Sequence, residues 1–271
     1  MQDPANLSLT QTIVVLIVFP ALLAAGAVAA WRLWCNFQRR PWIWRNRLRR
    51  FPKAVWTWTD LSWVAAYIAI ALSLGNLSFV CRLPPAWGVF IRLLLLHGGG
   101  ITLTLWLRQR RVCRPPHRQP RGHSWRLGAI FYLAAMPFVM VAGILNYAVL
   151  RIAGHTPTLQ DTALVLLNTE SPAVRLMLIT AAVVTAPIFE ELLFRGMILP
   201  LVARTSGWLP AILTVSATFA LFHLPTSALL PLFVLAVFLS LAYIYTRSLR
   251  TAMILHALFN LVNITLLLLL F

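Results

Sequence analysis

Eight stretches of about twenty mostly apolar residues follow one another along this chain, separated by arginine-bearing or turn-forming segments. A run of that length is what a helix needs to cross a hydrocarbon core of about 30 Å, and a soluble domain cannot hide eight of them. The runs are expected at 12–30, 55–79, 89–107, 127–150, 174–198, 209–224, 228–245 and 252–271. The sixth is the shortest. Only 11% of the 271 residues are charged, against about a quarter in a soluble domain. The expected fold is an all-α polytopic membrane protein, a bundle of about eight transmembrane helices.

The charge is overwhelmingly basic. A formal net charge of +17 arises from 22 arginines and Lys53 against six acids, Asp3, Asp60, Asp161, Glu170, Glu190 and Glu191. Basic chains can bind nucleic acid, but these arginines flank apolar runs, at 32–54, 108–126, 204 and 247–250. If the runs alternate in direction, all four sites fall on one side. The positive-inside rule makes that side cytoplasmic and puts both termini outside. Anionic lipids, and no nucleic acid, are then the expected partners of the basic loops. The expected location is a multi-pass protein of the bacterial inner membrane. Cys35, Cys81 and Cys113 lack C-x-x-C spacing, so neither a disulfide framework nor a thiolate metal site is signalled. No basic residue precedes the first run, which is therefore expected to stay as a span rather than act as a cleaved signal.

Glu190 and Glu191 stand side by side inside the fifth run. A carboxylate in a transmembrane helix costs a few kcal/mol on insertion scales, which makes it a functional-site hypothesis by default. On a helix Glu191 shares a face with Arg195 and can pair with it, while Glu190 points about 100° away. The plainer reading is that both acids bond to Arg195 and only fix packing. Pro187 cannot donate a backbone bond and loosens the helix just before the acids.

His223 lies in the sixth run, 17 residues after Ser206, and Glu190 lies 16 residues before it. An antiparallel hairpin turning at Ser206 would hold the two at one depth. Helical rise places that depth about 24 Å from the turn, toward the outer leaflet, whereas His256 counts only about 9 Å from Arg250. The last run carries His256 and Asn260 on one face, with Asn263 beyond. Glu, His, His and Asn from three helices suit either a metal site with oxygen and nitrogen ligands or a metal-free base with polarising donors.

Glu190-Glu191-x-x-x-Arg195, Phe219-x-x-x-His223 and His256-x-x-x-Asn260 resemble the three ordered motifs of the CPBP family, the CaaX protease and bacteriocin-processing family. Its best-known members are type II CaaX prenyl endopeptidases. The resemblance covers roughly residues 174–271. It implies an intramembrane endopeptidase in which Glu190 is the general base, assisted by His223, while His256 and Asn260 polarise the scissile carbonyl. Glu191 and Arg195 would support the base. The family's description both as metalloproteases and as glutamate proteases leaves two cofactor readings open, zinc held by Glu190, His223, His256 and Asn260, or no metal. The implied substrate is a peptide or membrane-protein segment, with or without a lipid modification.

The chain thus divides into residues 1–150, four spans without a recognised motif, and 151–271, the protease-like core. Two other classes compete: a proton-linked transporter, since such a polar set could relay protons, and a non-catalytic scaffold of the same fold. No internal repeat of the carrier kind is visible. Plainer roles fall to the remaining polar residues. His97 precedes Gly98-Gly99-Gly100, which reads as close helix packing, because no Lys-Ser/Thr follows to make a phosphate loop. Arg92 can snorkel, Asp60 can reach the interface, and His117, His123 and His155 fall in solvated loops. A short surface helix is expected between Asp161 and Glu170.

Overall fold

The computed structural model describes residues 9–41, 48, 55–77, 82–83, 85–111, 124–155, 161–223 and 226–270. Among them there is no strand, and the helices are α1 (Gln11–Arg39), α2 (Trp58–Gly75), α3 (Trp87–Arg110), α4 (Ser124–Ile152), α5 (Asp161–Asn168), α6 (Pro172–Ser206), α7 (Trp208–Phe222), α8 (Thr226–Thr246) and α9 (Leu249–Leu270). Seven of these are long and apolar enough to cross a membrane. The chain is an all-α, multi-pass membrane protein.

The departure from eight spans is α7. Its 15 residues rise about 22 Å, short of the hydrocarbon thickness. It begins after Gly207, whose φ of 81° costs glycine nothing sterically, and the chain leaves the helix at His223. A second departure is α1, which continues past the expected end at residue 30 through Trp31 and Arg32 to Arg39. Arg32 and Arg39 therefore sit on a helix rather than in a loop, as long cationic side chains can while their heads reach outward. Arg45, Arg47, Arg49, Arg50, Lys53, Arg114, Arg118, Arg121, Cys81, Cys113, His117 and His123 lie outside the described residues. The expected short helix is α5, which packs Leu166 on Val174 and Leu178 of α6.

Asp60 does not reach outward. It is buried and closes a capping box at the start of α2, where its Oδ2 accepts from the Thr57 backbone N–H at 2.9 Å and hydroxyl at 2.7 Å. That arrangement satisfies donors which a helix N-terminus otherwise leaves open.

Polar contacts at the two ends of the bundle fix the alternation of the helices. At one end Asn36 Nδ2 donates to the Tyr245 hydroxyl (3.2 Å), Trp56 Nε1 donates to the Gly196 carbonyl (2.7 Å), and the Ser124 and Ser248 hydroxyls lie 3.4 Å apart. At the other end Gln11 Nε2 donates to the Leu270 carbonyl (3.2 Å), Arg92 Nε to that of Gly75 (3.0 Å), and Asn146 Nδ2 to that of Ser227 (2.9 Å). The first group joins the end of α1, the starts of α2 and α4, and the α8–α9 turn. Arg39, Arg126, Arg247 and Arg250 all lie beside it. Between the ends α4 packs against α1, α8 and α9, and Phe219, Met197, Leu199, Leu235 and Leu239 are fully buried.

α6 changes its winding twice. It is π-helical at Ala181–Thr185, α-helical at Ala186–Glu191 and π-helical again at Leu192–Ile198. The widened turn before Pro187 is a place for the missing N–H to be absorbed, and π turns are frequent at functional sites. Thirty-five residues long, α6 passes the start of α9 at Gly196, where an added Cβ would lie 3.3 Å from Leu249 Cδ1. It then runs on to Ser206. Depth counted from Ser206 was therefore too great. From the Gly196–Leu249 contact, Glu190 is six residues along α6 and His256 seven along α9, both about 10 Å by helical rise.

Candidate active site

The hairpin of α6 and α7 delivers Glu190 and His223 to each other, as their equal distances from the turn required. His223 Nε2 lies 3.4 Å from Glu190 Oε2, and His256 Nε2 of α9 lies 3.9 Å from the same oxygen. The Glu190 side chain is 19% exposed and that of His223 25%, so the pair can be reached. His223 does not lie inside its helix. It caps the C-terminus of α7, and its Nδ1 is 2.8 Å from the Phe219 carbonyl one turn back. A carbonyl only accepts, so Nδ1 carries the hydrogen and, in the neutral ring, Nε2 is an acceptor facing the carboxylate. Glu190 Oε2 correspondingly has no hydrogen-bond donor among the described groups.

Glu191 is arranged differently. Its Oε1 receives Arg195 Nη1 at 3.0 Å, and both side chains are fully buried. The guanidinium also donates from Nη2 to the Ala236 carbonyl of α8 (3.0 Å) and lies over the Phe219 ring at 4.7 Å. A buried arginine is tolerated only when so paired. The same Oε1 lies 3.0 Å from His256 Nδ1, a contact the helical spacing did not announce. One imidazole thus spans the two acids, with Nδ1 on Glu191 and Nε2 toward Glu190. The rings of Phe219 and His223 lie 4.4 Å apart, so Phe219 walls the site beside them.

Asn260 lies one turn beyond His256, and its Nδ2 donates to the Ala182 carbonyl in the first π segment of α6 (2.7 Å). It ties α9 to α6, and one amide hydrogen remains for other use. Asn263 turns away, donating to the Phe259 carbonyl of its own helix. Glu190, His223 and His256 are donor types that zinc accepts. As arranged, however, no group of three His, Cys, Asp or Glu side chains among the described residues could hold a metal ion, and no step below runs through one.

His97 is the polar residue that sequence reasoning passed over. It reaches across from α3, with Nδ1 2.9 Å from Thr185 Oγ1, and it lies within electrostatic range of Glu190. The glycines after it do serve packing, since a Cβ on Gly100 would strike the Phe189 ring. The same packing brings His97 to α6, and a histidine preceding a glycine run in an apolar span was the available signal.

A family model described as type II CAAX prenyl endopeptidase, Rce1-like, matches residues 172–262. The similarity runs from the start of α6 into α9 and takes in Glu190, Glu191, Arg195, His223, His256 and Asn260, whereas α1 to α5 lie outside it. It marks this stretch as protease-like. No curated protein and no solved structure matches the chain significantly.

Proposed function

We propose that the protein is a membrane-embedded endopeptidase in which Glu190 activates water for attack on a peptide carbonyl. The observation that carries this reading is the unequal treatment of adjacent acids: Glu191 is sealed against Arg195, while Glu190 Oε2 faces two imidazole nitrogens in a site that remains partly open. Glu190 Oε2 and a neutral His223 Nε2 are both acceptors. One water donating a hydrogen to each satisfies them, and its oxygen is then free to attack. Glu190 takes the proton as the C–O bond forms and returns it to the leaving amine as the C–N bond breaks. His256, held through Nδ1 by Glu191, donates from Nε2 in its imidazolium form to the oxygen on which negative charge develops. The second amide hydrogen of Asn260 is the other candidate donor.

The family similarity makes a peptide with a prenylated C-terminal Cys-aliphatic-aliphatic-X sequence the first substrate class to try. The arginines at one end of the bundle suit the anionic leaflet of the cytoplasmic face, here that of a bacterial inner membrane. The test is mass spectrometry of a farnesylated peptide of that type, and of its unprenylated counterpart, incubated with the purified protein. A parallel arm compares the proteomes of membranes carrying the parent or Glu190→Gln. Cleavage or a membrane-protein fragment that depends on Glu190 supports the reading. Identical products from parent and variant in both arms overturn it.

A further inference from the structure

Two loosely wound segments meet beside the site. α3 is π-helical at Leu94–Gly99, α6 is π-helical at Ala181–Thr185, and His97 Nδ1 joins Thr185 Oγ1 across them at 2.9 Å. The contact closes one side of the short α-helical stretch that carries Glu190. On its other side the Phe189 ring lies over Gly100, at a spacing that leaves no room for a Cβ. Residues 185 and 189 are thus both gripped by α3, and Glu190 follows directly. The grip is itself anchored, because the Tyr67 hydroxyl of α2 donates to the Leu95 carbonyl within the same π segment of α3.

Winding of this kind has poorer hydrogen-bond geometry than an α-helix and is used in short pieces, so the direction of a side chain just beyond it depends on outside contacts. For Glu190 those contacts come from α3, a helix outside the family similarity. A residue there for packing alone would not need a ring nitrogen on a threonine hydroxyl, nor lie within electrostatic range of the carboxylate.

We propose that His97, through its hydrogen bond to Thr185, is a positioning residue that fixes the turn bearing Glu190, so that the hydrolytic site is built by four helices, α3, α6, α7 and α9. The inference rests on Glu190 being the base. Its place is with α3 because Glu190 must keep Oε2 between His223 and His256, and a shift of about 1 Å in a reacting group can cost a hundredfold in rate.

The experiment uses His97→Ala, His97→Gln, Thr185→Val and Thr185→Ser in the full chain. His97→Ala and Thr185→Val should lower kcat by about ten- to a hundredfold with KM unchanged and thermal stability near that of the parent. His97→Gln and Thr185→Ser, which keep a hydrogen-bonding group, should recover most of the rate. Combining His97→Ala with Thr185→Val should cost no more than either alone, as expected for two residues acting through one contact. A second readout needs no substrate: the rate at which dicyclohexylcarbodiimide modifies Glu190, followed by mass spectrometry of the peptide, should change in the two disrupting variants and not in Thr185→Ser. Parental kcat and parental labelling in His97→Ala would overturn the proposal, as would a loss of rate that tracks lost thermal stability and that Thr185→Ser shares. If the parent shows no Glu190-dependent hydrolysis, the proposed function fails, and the labelling rates alone decide the role of His97.

Discussion

His256 and Glu191 meet at 3.0 Å through Nδ1 and Oε1, and the opposite nitrogen of the same ring lies 3.9 Å from Glu190. The sealed acid is thereby connected to the open one. Glu191 has two duties, balancing Arg195 and aiming His256, and its loss should be felt in both. Glu191→Gln should destabilise the protein by on the order of 3 kcal/mol, since it leaves a buried guanidinium without its counter-ion, and should also slow hydrolysis. Adding Arg195→Gln should return much of the thermal stability in detergent, because no unpaired ion remains, but not the rate, because His256 is still unaimed. Recovery of both by the double change would contradict the second duty.

Gly100 and Phe189 make a steric prediction. Gly100→Ala should push the Phe189 ring, and with it the backbone leading to Glu190, and lower the rate of hydrolysis. Phe189→Leu in that background should restore part of the rate by giving the new methyl room. Unchanged activity in Gly100→Ala would show that the contact does not govern the acid.

A further prediction concerns the membrane orientation of the two ends. In a chain freed of Cys35, Cys81 and Cys113, single cysteines at Asn36, Arg204 or Ser248 should react with an impermeant maleimide from the cytoplasmic side, and ones at Asn76 or Ile152 from the other. The grounds are the arginines beside the first end and the positive-inside rule. Reversed labelling would turn the bundle over and move the site, about 10 Å inside that end by helical rise, to the opposite leaflet.

The arrangement of Glu190, His223 and His256 yields a prediction about metal. Dialysis against a strong chelator should leave hydrolysis of the chosen peptide unchanged, and added zinc should not raise it. Loss on chelation with recovery on adding zinc would show that the three side chains rearrange around an ion.

Much of this was legible in the sequence because membrane helices leave a coarse signature. Eight apolar runs located the helices, and equal spacing about Ser206 brought Glu190 to His223. The i, i+4 rule paired Glu191 with Arg195. What escaped depends on where helices end relative to one another. α6 overruns the start of α9 at Gly196, so a depth counted from Ser206 misled, and α1 keeps its helix through Arg32 because charge marks an interface rather than a helix end. The His256–Glu191 contact and the approach of His97 are made between helices, at distances set by glycines and π turns, for which the periodicity of a single run carries no information.

The central claim is that Glu190, and not its neighbour, handles the proton of the attacking water. Its most direct test is the rate of peptide hydrolysis by Glu190→Gln measured beside thermal stability, since the change keeps size and hydrogen bonding and removes only the proton acceptor. The rate should fall by at least about a hundredfold, the lower range of general-base catalysis, while the melting temperature stays at the parent's. Parental activity in Glu190→Gln, with the loss found only in Glu191→Gln, would contradict the account.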